Sequence, residues 1–263
     1  MIQKLVGLEW MKIRSYKTFW IMLGLFVLGF FGLVYIMYAI KYETSGQMAG
    51  SFLDSYFRYP QIAQLTAYMG TFMLLVLGII LITQVANEFS YRTHRQNIID
   101  GLDRVQFINA KWYNIIILSL FAGLVHILFT ALFAFMGDGG STSGFLNSLE
   151  YSFYFALDAF MWLSVALMLS LWLKRSGLAI SLFIVYGLVV ENLLGYFLKR
   201  MTGIEIGEYL PISIVDGLCP NVLLSFISSS GRPSELVAVI ITCVYLIGFY
   251  LLSRRMITRM DLK

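Results

Sequence analysis

The sequence predicts an all-α membrane protein with six transmembrane helices, and three observations carry that reading. Hydrophobic residues make up 59% of the 263 positions and charged residues only 13%, whereas a water-facing surface uses roughly a quarter. Mean hydropathy is +0.78. Six apolar runs, at about 19–40, 67–86, 112–136, 151–173, 177–198 and 235–253, account for most of the chain. A crossing takes about 20 apolar residues, and in hydrocarbon a helix satisfies every backbone group within its own segment. Residues 1–263 therefore read as a single transmembrane domain with short loops. Cys219 and Cys243 form neither a disulfide framework nor a zinc pattern.

The first run is preceded by eighteen residues, extends over more than twenty apolar positions and has no small-residue cleavage site behind it, so it reads as a span and not as a signal peptide. Orientation follows from the cations. With both termini in the cytoplasm, 14 of the 19 Lys and Arg fall on the inner side. They cluster before the first span, between the second and third, at Lys174 and Arg175, and after the last. Lys41, Arg58, Lys199, Arg200 and Arg232 are left outside, a bias that fits the positive-inside rule. Trp10, Trp20, Trp112 and Trp172 fall near the same inner interface, where an amphipathic ring prefers to sit. The net charge of +4 is thus a statement about topology and gives no reason to invoke nucleic acid. The stretch EYLPISIVDGLCPNVLLSFI (208–227) is apolar enough for a seventh crossing, but Pro211, Asp216, Gly217 and Pro220 break it repeatedly. Two short interfacial or re-entrant outer helices before the sixth span suit it better, since irregular backbone is tolerated where protein buries it.

The connection between the second and third runs is unusually charged. NEFSYRTHRQNIIDGLDRVQFINAK (87–111) carries Glu88, Arg92, Arg95, Asp100, Asp103, Arg104 and Lys111. Tyr91, Arg95, Ile98 and Leu102 recur at helical spacing with Ile99 beside them, which predicts a short helix lying along the inner membrane surface. Gly101 is placed to end it, and Asp103 with Gln106 makes a capping box for the helix that follows. The plain alternative is a solvated basic loop.

The segment EFSYRTHRQNIIDGLDRVQFINAK (88–111) resembles the one after the second span in type-2 permeases of ATP-binding-cassette exporters. There an acidic residue, R-T-x-R, an apolar pair, a turn and R-x-x-F-x-x-x-K recur. EWMKIRSYKTFW (9–20) is similar to that family's leading amphipathic helix, so the resemblance covers nearly the whole chain. It departs at the turn, D-G-L-D here, where family members often carry a proline. The resemblance implies that residues 88–102 form a coupling helix docked on a separate ATPase, with Glu88, Arg92, Thr93, Arg95 and Gln96 as contacts. It implies two ATPase copies that carry ATP and magnesium, and a second permease half, the same chain or a similar one. The place implied is a bacterial plasma membrane. Small residues in the first and fifth spans (Gly24, Gly29, Gly32; Gly177, Ser181, Gly187) permit close helix approach. In the resembling family those spans help form the interface between halves. This chain has no G-x-x-x-x-G-K-[ST] phosphate loop of its own, and glycine-rich GDGGSTSG (137–144) lacks the lysine and reads as a turn.

His126, Asp158 and Glu191, with Asn192 beside it, fall inside the spans. At ~1.5 Å per residue Asp158 and Glu191 lie about 10 Å from the outer ends and His126 about 15 Å. Such groups are costly in lipid and face protein or a water-filled cavity. They read as interhelical hydrogen bonding, as a polar outer vestibule on an export path, or as a proton relay, and no catalytic constellation surrounds them. The expected function is the permease subunit of an ATP-driven exporter, itself non-catalytic, inside an ATP-hydrolysing translocase complex. A non-transporting multi-pass scaffold or an intramembrane enzyme is the alternative. The cargo suited to a Phe- and Met-rich path is a hydrophobic or amphipathic molecule.

Overall fold

Each apolar run folds as a helix that continues past its greasy stretch into polar residues at one or both ends. The computed structural model describes residues 2–44, 46, 53–91, 93, 96, 101–137, 142–219 and 233–259. An amphipathic helix α1 (Ile2–Arg14) leads into α2 (Lys17–Glu43), then α3 (Gln61–Ser90), α4 (Arg104–Met136) and α5 (Thr142–Leu173). Next comes α6 (Ser176–Val185), which runs through a π-helical turn (Tyr186–Val190) into α7 (Glu191–Thr202). A 3₁₀ turn (Ile206–Tyr209) and α8 (Pro211–Asp216) precede the last helix, α9 (Glu235–Thr258). Among the described residues six segments are long and apolar enough to cross a membrane, with α6, the π turn and α7 counting as one. Among the described residues there is no strand.

The extra length has a cause. The 33 residues of α4 span about 50 Å at 1.5 Å per residue, well beyond the ~30 Å hydrocarbon core. Its first two turns are therefore free to carry Arg104, Asn109 and Lys111 outside the apolar layer. The expected capping box starts it: the Asp103 backbone N–H donates to Gln106 Oε1 at 3.3 Å. Gly101 just upstream has φ +94, the left-handed conformation that a β-carbon penalises. The helix expected over 88–102 is described only in part, at 88–91, 93, 96 and 101–102; Arg92, Arg95, Ile98 and Ile99 lie outside the described residues. Only one of the two short helices expected in 208–227 is described, as α8, because 220–232 lie outside too; so does most of GDGGSTSG.

Two helices form the centre. The apolar windows of α3 and α5 are 61% and 67% buried, against 22%, 17% and 22% for the first, fifth and sixth spans. The α3 and α5 pair packs together most extensively, with α4 and α2 against them. Phe30 shows how the centre fills: its ring meets Phe129 at 5.2 Å and Phe155 at 5.6 Å, over Gly70, whose missing β-carbon leaves room for both Phe30 and Phe155.

Candidate functional site

The end of the bundle that holds α1 and the last turns of α9 carries a junction of polar side chains. It gathers at the last turns of α3, where Gln84, Asn87 and Glu88 interrupt the apolar run. Gln84 Oε1 accepts from Asn114 of α4 at 2.8 Å. Asn87 donates to the Tyr16 hydroxyl, in the short link between α1 and α2, at 3.0 Å. Glu88 enters an ion cluster with α1 and α4.

Lys111 is the centre of that cluster, 1% exposed. Its Nζ donates to Glu88 Oε1 at 2.6 Å and to Glu9 Oε2 at 2.7 Å. Lys12 closes the set, donating to Glu9 Oε1 at 2.9 Å and Glu88 Oε1 at 3.0 Å. Two cations and two anions make the cluster neutral, which is how buried charge becomes tolerable. Burial alone would push the Glu9 carboxyl up, but Lys111 and then Lys12 outweigh it and hold Glu9 below the usual carboxylate range. The start of α4 is also tied to α9: Trp112 Nε1 donates to Ser253 Oγ at 3.0 Å and Arg104 to the Thr258 carbonyl at 2.9 Å. The end of α3 is thus bonded to α1 and α4, and α4 in turn to α9.

A cleft of about 440 Å³ opens beside the cluster, lined among others by Tyr16, Asn87, Glu88, Tyr91, Thr93 and Gln96. Three of the five residues that the sequence marked as contacts are thus brought to one cleft. Thr93 and Gln96 are on its wall, and Thr93 Oγ1 donates to the Glu88 carbonyl at 3.3 Å. The Glu88 carboxylate itself reaches Lys111 and Lys12. Arg92 and Arg95 lie outside the described residues. Lys111, Glu9 and Lys12 were missed as site residues, since their burial depends on partners up to 102 positions away.

The four polar residues marked inside the spans do not form one group. The His126 Nε2 lies 3.0 Å from Thr66 Oγ1 and 3.1 Å from the Ala63 carbonyl. Its Nδ1 lies 2.9 Å from Ser152 Oγ, and the ring stacks on Phe155 at 5.1 Å. Glu191 sits at the opposite side of the centre, after the π turn. Its carboxylate takes the backbone N–H groups of Ile212 at 3.1 Å and Ser213 at 2.9 Å, the first turn of α8. The Ser213 and Tyr186 hydroxyls add bonds at 3.0 and 2.6 Å. A carboxylate there satisfies the orphan donors of a helix start. Asn192 is exposed and donates to the Leu188 carbonyl at 3.0 Å. Asp158 is fully buried and accepts from Thr71 at 3.1 Å. Of these four, among the described residues, Asn192 alone lines a cavity of about 310 Å³ between α3, α5 and α8. Among the described residues no three His, Cys, Asp or Glu side chains converge as metal ligands.

Residues 5–190, from α1 to the end of the π turn, match the family model described as ABC-2 family transporter protein. Comparison with curated proteins gave no match.

Proposed function

This chain belongs to the ABC-2 family of transporter proteins, a multi-pass membrane family whose permeases typically work with an ATPase subunit, and we propose that it is the permease half of an ATP-driven exporter. Both termini face the cytoplasm in this reading, and the membrane is a bacterial plasma membrane. Residues 88–102 dock on a separate ATPase, which supplies ATP and magnesium in two copies. Thr93, Gln96, Arg92 and Arg95 make the contacts, and Glu88 holds the segment's root to the bundle.

The observation that carries the reading is the junction under the cleft. Glu88 lies at the base of the docking segment and is bonded through Lys111 and Lys12 to two other helices. A push on 88–102 is thereby shared with α1 and α4 and not absorbed in a loose connection. The second half is a further copy or a similar chain, seated on the weakly covered first and fifth spans. Gly24, Gly32 and Gly177 leave open space there for a close neighbour, while Gly29 and Gly187 are taken up against Met73 and Trp162. Glu191 and His126 fasten helices together, and Asp158 and Asn192 belong to an outer vestibule.

The test is reconstitution. The chain and the phosphate-loop ATPase that co-purifies with it, placed together in proteoliposomes, should hydrolyse ATP faster than the ATPase alone and expel an amphipathic dye. Stable assembly without any change in hydrolysis would overturn the exporter reading.

A further inference from the structure

A groove of about 380 Å³ lies between α4, α5 and α9, within the size range of small-molecule sites, roughly 300–1,000 Å³. Asn109, Trp112, Tyr113 and Ile116 line it from α4, a stripe at helical spacing that leaves Lys111 on another side of the helix. Leu246, Ile247 and Tyr250 line it from α9. The Trp112 ring packs 5.8 Å from Phe160 of α5 and 5.7 Å from Tyr250, which fixes the walls. Ile116 and Ile247 are 38% and 60% exposed. Both belong to helices that cross the membrane, so the medium the groove opens on is lipid.

The groove is apolar at one end and polar at the other. Ile116, Leu246 and Ile247 make the apolar end; the polar end lies where the Tyr250 hydroxyl donates to Asn109 Oδ1 at 3.0 Å. That bond occupies the Asn109 oxygen and leaves its amide N–H groups without a partner among the described residues, as is the Tyr113 hydroxyl. Arg254 comes four residues after Tyr250 and eight after Leu246, so it shares their face of α9 and stands about 6 Å beyond the polar end. It is exposed and forms no ion pair among the described residues. No Asp or Glu lines the groove among the described residues. Free donors and a cation above an apolar slot match a ligand with an anionic, acceptor-rich head and an apolar body.

We propose that this groove holds an anionic phospholipid, its phosphate on Asn109, Tyr113 and Arg254 and an acyl chain along Ile116, Phe160, Leu246 and Ile247. Basic pockets between helices at the membrane surface select such headgroups. A soluble phosphate would leave the apolar length of the slot unused, and a neutral lipid would leave Arg254 unpaired. The inference rests on the membrane-spanning fold and not on the exporter reading.

The experiment uses the full chain alone in phosphatidylcholine nanodiscs. These carry a trace of phosphatidylglycerol with a photoactivatable diazirine in its acyl chain, or the same trace of a phosphatidylcholine probe. After irradiation, mass spectrometry locates the labelled peptides. The phosphatidylglycerol probe should concentrate on 109–116 and 246–250, and unlabelled phosphatidylglycerol in the disc should displace it while glycerol phosphate in the buffer does not. A surface cation adds about 1 kcal/mol to the binding of an anionic lipid, so Arg254→Gln should lower that labelling about fivefold and leave the phosphatidylcholine probe unchanged. Ile247→Trp, at an exposed lip, should lower labelling at 109–116 with the thermal unfolding midpoint in place. Equal labelling by the two probes, label spread evenly over the lipid-facing helices, full labelling in Arg254→Gln or Ile247→Trp, or displacement by glycerol phosphate would overturn the proposal. So would an unlabelled groove in a chain that elutes as a dimer, which would make it a contact between copies.

Discussion

Replacing Lys111 by methionine keeps the length and most of the volume of the side chain and removes only its charge. In the native protein Lys111 Nζ faces Glu88 and Glu9 at 2.6 and 2.7 Å and is 1% exposed. Removing one partner from a buried ion cluster leaves uncompensated charge and costs about 3–5 kcal/mol. Lys12 is itself about a third exposed, 34% on its side chain, and still contacts both carboxylates. The lower end of that range, about 3 kcal/mol, is therefore expected. On the scaling for soluble chains of this length it lowers Tm by roughly 6–12 °C. The triple change Lys111→Met, Glu9→Gln, Glu88→Gln removes the orphaned charges as well and should recover most of the loss. The pH dependence separates this cause from lost packing. In the native protein Glu9 is held below its ordinary pKa by Lys111 and Lys12 against burial, so its contribution is present at neutral pH and fades only as pH falls through that depressed value. Without Lys111, burial drives Glu9 upward, and protonation then relieves the folded state. The deficit of Lys111→Met should shrink between pH 7 and pH 5, while the native protein holds level. Thermal unfolding of purified protein in detergent across that range is the assay. A pH-independent deficit, or a triple variant no better than the single one, would refute the charge argument.

Glu191→Gln keeps the shape but turns one acceptor into a donor facing the N–H groups of Ile212 and Ser213. It should cost about 1–3 kcal/mol and lower Tm in the same assay; an unchanged midpoint would contradict the capping role. Both termini are predicted to be cytoplasmic, so in a cysteine-free background Gly140→Cys should label from outside intact cells and Met260→Cys should not. Strong outside labelling at 260 would refute the six-span orientation.

The spans were legible because their signal is composition over a long window, and lipid imposes that composition directly. The Asp103–Gln106 cap was legible for a similar reason: its partners are three residues apart, so spacing alone specifies it. The ion cluster was not. Lys111 looked like one more inner cation, and nothing local says that it is buried, because Glu9 arrives from another helix. Glu191 shows the same limit, since its partners are the backbone amides of a helix more than twenty residues on. Counting depth along a helix gives height but not direction around the bundle. His126, Asp158 and Glu191 sit at comparable heights yet face Ser152, Thr71 and α8 respectively.

The central claim is that residues 88–102 grip an ATPase, and charge reversal tests it most directly. A single ion pair at a protein surface contributes only about 0.2–1 kcal/mol, so Arg92→Glu or Arg95→Glu alone should weaken the complex mildly. The double change, at positions three apart in sequence, replaces two attractions by repulsion against an acidic partner surface. Neither position belongs to an apolar span, so expression and insertion should persist. The measurement is recovery of the ATPase with the native and the doubly reversed chain at matched membrane levels. The account predicts that the native chain retains the ATPase and the reversed chain releases it. Equal recovery, with equal transport, would contradict it.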